Sequence, residues 1–392
     1  MLTVTMGMFE SAAIGAAILV LGMFLVSRSN LLRKYCIPVA VGGGLIFAVF
    51  SLILHQTGVM EITFDLTIED IAMRLFFCSV GFMASFKMLR TGGRLLIILV
   101  VLAIAMVVMQ DVIGVSIISA FGLDSRLGLA VGSMSLAGGH GTSAAYGKFL
   151  VEDYGVVGAD VVAIASATFG LAIAGLLGGP LADRLIKKND LRPENPDADL
   201  ESHNKFEIVN DRFMGAVVLL LVCCGAGTIV NHAFGMVGIA LPSYLGALIL
   251  GIIVRNSVEF LGHSLPIREI ELLGWLNVNV FLAMALMNLK LWQLADLAVP
   301  MVAVLLVQTV AMVLFVYFIV FRVTGRNYES AALTAGTMGF GMGATPNAMA
   351  NLEAVMRAHG PAPKAYLLVP LLGGVFMDLI NVSVLTTFLN IL

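Results

Sequence analysis

Apolar stretches long enough to cross a bilayer recur along this chain, at about 9–27, 37–54, 71–89, 95–121, 161–186, 213–234, 239–256, 270–291, 297–321 and 366–390. A run of about 20 apolar residues matches the hydrocarbon thickness, so the pattern predicts ten membrane-spanning helices. Two further apolar segments, 127–150 and 330–356, are interrupted by Gly, Ser and Thr, and these predict re-entrant hairpins. One hydrophilic stretch, Lys187 to Arg212, divides the chain nearly in half and reads as a linker. The divisions expected are therefore 1–186, with hairpin 127–150; the cytoplasmic linker 187–212; and 213–392, with hairpin 330–356.

Composition sharpens the class. Of the 392 residues, 59% are hydrophobic and 12% charged, where a soluble domain is nearer half apolar and a quarter charged. A soluble enzyme and a nucleic-acid binder are both excluded, and an all-α polytopic membrane protein is expected. The 22 Met and 41 Gly suit helices that approach closely in lipid. Cys36, Cys78, Cys223 and Cys224 show no metal-ligand spacing and imply no disulfide framework. The first basic residue is Arg28, so the run from Phe9 to Val26 is expected to remain as the first helix.

Charge placement sets an orientation. With both termini outside and two hairpins, 18 of the 22 Lys and Arg fall inside, Arg33, Lys34, Arg90 and Lys205 among them; Arg74, Arg126, Lys148 and Lys290 remain outside. Treating either hairpin as a full span would carry one half's basic loops outside. The halves also echo one another. Pro38–Gly42 matches Pro242–Gly246 at an offset of 204, Gln110 and Gln308 both fall mid-span, and the segments around Thr142 and Thr345 match at 203. Five spans per half invert the second half, which is the plan of secondary transporters whose hairpin tips meet within the membrane.

The hairpins carry the candidate chemistry. Glycines cost a helix about 1 kcal/mol each relative to Ala, so unwinding is expected at Gly138–Gly141 and Gly339–Gly343, with Pro346 opening a new helical half. Freed amides at helix N-termini suit a carboxylate, and freed carbonyls suit Na⁺. Substrate-binding candidates are Gly138, Gly139, His140, Gly141, Thr142, Gly341, Gly343, Ala344, Thr345 and Asp378. Na⁺ candidates are Ser135, Thr142, Ser143, Thr345, Asn347 and Asn351, with Ser133 and Thr337 as further neutral oxygens.

Several polar residues admit two readings. Asp378, in the tenth span, is either a counter-charge for a substrate ammonium or Na⁺, or a hydrogen-bond anchor; a carboxylate at that depth costs about 2.5–3.5 kcal/mol on insertion scales. Asp111 reads as structural or water-exposed. Gln110 and Gln308 fit helix packing and substrate contact equally. His140 is a satisfied imidazole or a proton-coupling group, and Arg255 a cytoplasmic anchor or a carboxylate clamp. Gly141–Phe149 superficially suggests a phosphate loop, but five residues separate its glycines and Phe149 follows Lys148, so no ATP site is expected. An intramembrane hydrolase using Ser133 or Ser135 with His140 fails on spacing, and a channel would leave the two opposed hairpins without a purpose.

The stretches SLAGGHGTSAAY, ATFGLAIAGLLGGP, FLAMALMNLKLW and GFGMGATPNAMANLEAV resemble the bacterial glutamate:Na⁺ symporters, and the likeness runs from about Pro38 to Asn381. The resemblance implies Na⁺-driven uptake of L-glutamate across the bacterial inner membrane, with Na⁺ as coupling ion and no organic cofactor. It further implies a homodimer, two inverted five-helix repeats with opposed re-entrant loops, and an elevator-type movement. A dicarboxylate substrate or H⁺ coupling is the alternative expectation.

Overall fold

The computed structural model describes residues 2–30, 32, 37–87, 93–193, 210–236, 241–294 and 297–392. Most of the linker, at 194–209, lies outside the described residues, as do Cys36 and the basic residues Arg33, Lys34, Arg90 and Lys205. In chain order the elements are β1 (Leu2–Met6), α1 (Met8–Arg28), α2 (Val39–Gln56), β2 (Met60–Phe64), α3 (Thr67–Met83) and α4 (Gly93–Ala120). The first hairpin follows as α5 (Leu127–Ala130), α6 (Ser133–Leu136) and α7 (Gly139–Tyr154), and then α8 (Ala159–Asn189). Next come α9 (Asn210–Met236), α10 (Leu245–Phe260), α11 (Ile267–Met287) and α12 (Ala298–Val323). The second hairpin is α13 (Tyr328–Met342) and α14 (Thr345–His359), and α15 (Pro363–Ile391) closes the chain.

Eight of these helices, α1, α2, α4, α8, α9, α11, α12 and α15, are long and apolar enough to cross a membrane. Two of the ten expected spans are shorter helices. α3 has 17 residues and α10 has 16, about 24–26 Å at 1.5 Å per residue against a hydrocarbon core of about 30 Å. Many apolar side chains point outward, Val20, Phe24, Leu221, Ile229, Leu306 and Val310 among them. In water such a surface would aggregate; against lipid it is the expected exterior.

The helices form two compact units. The first takes Met1–Phe86, Ala144–Val161 and Glu207–Leu297, and the second takes Lys87–Ser143, Val162–Phe206 and Ala298–Leu392. In the first unit, α3 packs on α10 and α11, α1 on α2, and α9 on α10. Two of these crossings are backbone-to-backbone. A Cβ on Gly22 would sit 2.0 Å from the Val39 carbonyl oxygen, and one on Gly246 would sit 2.0 Å from that of Gly227. Only glycine permits such approach, and close packing replaces the hydrophobic drive that lipid cannot supply.

A parallel two-stranded ladder, pairing Leu2 with Met60 through Met6 with Phe64, also belongs to the first unit. Asp65 follows β2; the Thr67 hydroxyl and amide hold its carboxyl below the usual carboxylate range, with the amide donating at 2.9 Å. Lys148 reaches Glu69 at 3.1 Å and Asp70 at 2.7 Å. Arg255, paired with Glu259 at 2.6 Å, is held on α10. Ser85 donates to the same carboxylate and Asn256 secures the backbone at Ala84 and Phe86, so Glu259 and Asn256 tie α10 to the segment after α3.

The second unit has a large apolar core, contributed by α4, α8, α12, both arms of the second hairpin and α15. Two of its long helices carry π-helical turns, Phe315–Val320 in α12 and Leu372–Phe376 in α15. Both hairpin breaks and every candidate binding residue lie in this unit.

Candidate functional site

The second hairpin is a buried helix that stops and restarts. Asn327 caps α13 by accepting the Ser330 amide at 2.9 Å, and Glu329 accepts the Lys364 and Ala365 amides at the start of α15. The helix ends at Gly343, Ala344 is extended, and α14 begins at Thr345 with Pro346 in its first turn. The break is narrower than the glycine count predicts, because Gly339 through Met342 remain helical. Their glycines serve packing instead. A Cβ on Gly339 would lie 2.3 Å from the Ala348 Cα, and one on Gly341 would strike Met312 and Met106. No side chain caps α14, and the first amide bonded within it is that of Ala348, to the Ala344 carbonyl at 3.1 Å. The Thr345 and Asn347 amides therefore precede the helical ladder.

The first hairpin breaks in the same manner, at Ala137–Gly138 rather than over Gly138–Gly141. Gly139 opens α7 with φ +62°, a left-handed conformation that glycine adopts without penalty. Its preceding arm is fixed through one residue. Asp111 on α4 accepts the Ser133 amide at 2.8 Å and the Ser133 hydroxyl at 2.9 Å, and Asn381 on α15 donates to the Ser133 carbonyl at 3.1 Å. Asp111 is thus structural. His140 lies 3.0 Å from the Thr168 hydroxyl, which matches the satisfied imidazole. The Ser135 and Ser143 hydroxyls donate to the Gly132 and Met134 carbonyls of the same hairpin, and Thr142 packs against Gly138.

The two breaks meet. A Cβ on Gly139 would lie 3.3 Å from the Gly343 carbonyl oxygen. Behind them α4 and α12 supply a relay of amides, in which Gln308 donates to the Gln110 carbonyl at 2.6 Å and Gln110 donates to the Gly341 carbonyl at 2.7 Å. Helix α15 closes another side. Gly373 and Gly374, in its π-helical turn, abut Thr345, and Asn381 abuts Gly138. Asp378 precedes Asn381 by three residues, which puts the two on one helix face, and no ion pair among the described residues involves Asp378.

What this junction can do follows from its unpaired atoms. Asn347 gives its amide hydrogens to the Leu171 carbonyl at 2.8 Å, as Asn381, Gln110 and Gln308 give theirs to other carbonyls. In all four the side-chain oxygen is buried with no donor, as is the Thr337 hydroxyl. A desolvated acceptor without a donor is costly, and a cation or a ligand donor would satisfy it. Free amides of α14 on one side and bare oxygens on another can hold an anion and a cation together.

Of the predicted residues, the structure brings together Gly138, Gly139, Gly343, Thr345 and Asn347, with Gly341 engaged through its carbonyl and Ala344 at the break itself; no ion pair among the described residues joins Asp378 to them. Gly141 lies inside α7, and Asn351 is turned to the Ala174 and Ala335 carbonyls. Sequence reasoning passed over Asn381. It lies one helical turn beyond Asp378, the acidic residue of the last span.

These features define a mostly helical, polytopic membrane protein organised around two broken helical hairpins whose breaks adjoin. The chain belongs to the sodium/glutamate symporter family, whose model, described as "Sodium/glutamate symporter", matches residues 4–361. It is 40% identical over 379 residues to the sodium/glutamate symporter of Escherichia coli (strain K12), covering 95% of this chain and 94% of that protein. It is 37% identical over 391 residues to the sodium/glutamate symporter of Haemophilus influenzae (strain ATCC 51907 / DSM 11121 / KW20 / Rd), covering 97% and 96%.

Proposed function

We propose that this protein imports L-glutamate together with Na⁺ across the bacterial inner membrane, as a secondary transporter and not an enzyme. The observation that carries the reading is the adjoining of two hairpin breaks beside buried, donor-less amide oxygens. The substrate carboxylates lie against the helix starts at Gly139–Thr142 and Ala344–Asn347, where unbonded amides favour negative charge. Neutral oxygens of Thr345, Asn347 and nearby carbonyls take Na⁺, and Asp378 supplies the negative charge that the bound cations require. The relatives' names add the substrate and the ion.

In this reading the chain is two inverted repeats of five spans and a hairpin, with both termini periplasmic, working as a homodimer by an elevator-type alternating access. Recurrent packing supports the repeat. The Gly22–Gly43 crossing of α1 and α2 has its counterpart in Gly227–Gly246 of α9 and α10, and Gly170 against Leu136 has its counterpart in Gly373 against Phe340. The offsets, 203 to 205, agree with those of the motifs.

The test is uptake of labelled L-glutamate into proteoliposomes holding the purified protein, driven in turn by Na⁺, K⁺ and H⁺ gradients. Accumulation with Na⁺ alone, competed by glutamate more than by succinate, is the expected result. Accumulation driven by H⁺, or preferential competition by succinate, would overturn the ion or the substrate respectively.

A further inference from the structure

The reading above places Na⁺ at Thr345 and Asn347 of the second hairpin, and the last helix offers a further place for a cation that the hairpin hydroxyls do not. Asn381 is fully buried. Its Nδ2 donates to the Ser133 carbonyl at 3.1 Å, which settles which end of the amide is oxygen, since only the NH₂ end can donate. Oδ1 then has no partner. The chain builds this arrangement deliberately. Ser133 is gripped at its amide and hydroxyl by Asp111, so the carbonyl that orients Asn381 is itself fixed. Gly138 leaves the room, since a Cβ there would fall 2.4 Å from Asn381 Nδ2.

Asp378 lies three residues before Asn381 on the same face, without an ion-pair partner among the described residues. A carboxylate and a bare amide oxygen on one helix face, beside the break of the first hairpin, form a donor set of hard oxygens. Such a set suits a small hard cation and offers nothing to a thiophilic metal.

We infer that Asn381 Oδ1 is a Na⁺ ligand, with the Asp378 carboxylate supplying the charge, so that one coupling ion sits on α15 beside the break of the first hairpin. Asp111 is a positioning residue for this ion, acting through Ser133. The inference rests on the sodium-coupled reading. An ion held there would tie α15 to the junction, which gives Na⁺ binding a physical means to organise the substrate site before glutamate enters.

The experiment uses the full-length purified protein. Two readings are taken: the Na⁺ concentration giving half-maximal glutamate uptake, and the rise in melting temperature when Na⁺ replaces K⁺ without glutamate. N381A is expected to raise the first by roughly tenfold or more and to abolish the second. N381D keeps a ligand oxygen and loses the amide donor, and it is expected to retain the Na⁺-dependent rise. N381A with wild-type Na⁺ dependence would overturn the inference. So would N381D losing the Na⁺ response, because the amide-to-Ser133 bond would then be the whole role; that arm decides alone where N381A does not fold. A wild-type protein indifferent to Na⁺ would overturn sodium coupling itself, an outcome distinct from loss of this site.

Discussion

Asp111 gives both carboxylate oxygens to one serine, and that economy explains why an acidic residue is kept in the middle of an apolar helix. Hydrogen bonds to a charged group contribute about 1.5–3 kcal/mol each. D111A is expected to lower stability by about 2–4 kcal/mol, and S133A, which removes the hydroxyl alone, by about half as much; thermal melts in detergent would rank them. Lys148 presents the complementary case. Glu69 is only 2% exposed, and Lys148 is its salt-bridge partner. Removing one partner of a buried pair costs about 3–5 kcal/mol because the other is left charged and dry. K148A should therefore be strongly destabilised and K148A/E69Q partly restored, and equal melting points for the two would refute that account. The structural part of Asp111 was legible in the sequence from its lack of an acidic counterpart beside Gln308. Asn381 was not, because an Asn in a span is ordinary until its neighbours show which of its atoms is left over.

Helices assert themselves by length and apolar content, so eight of the spans were readable, as was the helix start at Pro346. The expected spans 71–89 and 239–256 correspond to helices at Thr67–Met83 and Leu245–Phe260, each offset from the apolar run that predicted it. The ladder of β1 and β2 was missed because five residues make a weak pattern, and the partner strand lies some 58 positions away. Each hairpin break overlaps the expected stretch only at one edge, falling at Ala137–Gly138 and at Gly343–Ala344. Within the hairpins glycine was taken as a helix breaker, whereas Gly339 lies in a helix and lets its backbone meet that of Ala348. The two roles separate within a single helix. A Cβ at Gly227 of α9 would lie 2.5 Å from the Ala247 amide nitrogen, while nothing lies within 4 Å of one at Gly225. G227A is expected to destabilise the protein by about 1–3 kcal/mol through overpacking. G225A should be neutral or stabilising by up to about 1 kcal/mol through helix propensity. Matching losses for the two would mean that close approach is not what holds α9 against α10.

For the whole molecule, the sequence divides at the linker, but each compact unit draws segments from both sides of it. Sequence order exposes the repeat and hides the interleaving, because a repeat is a property of the chain while a unit is a property of the packing. The functional consequence concerns charge. Glutamate carries a net charge of −1, so its entry into an inside-negative compartment is opposed by about 2.3 kcal/mol per 100 mV. One Na⁺ cancels that opposition and gains nothing from the potential; two or more turn the potential into a driving force. In the second unit, Asn347, Asn381, Gln110 and Gln308 each carry a buried side-chain oxygen without a donor, which is more than one cation's worth of candidate ligands under the proposed function. Uptake at fixed Na⁺ gradient is therefore expected to accelerate when a K⁺ diffusion potential makes the lumen negative, and to carry net positive charge inward. Uptake indifferent to the potential would limit the protein to one Na⁺ per glutamate, and the remaining amide oxygens would then belong to the substrate or to water.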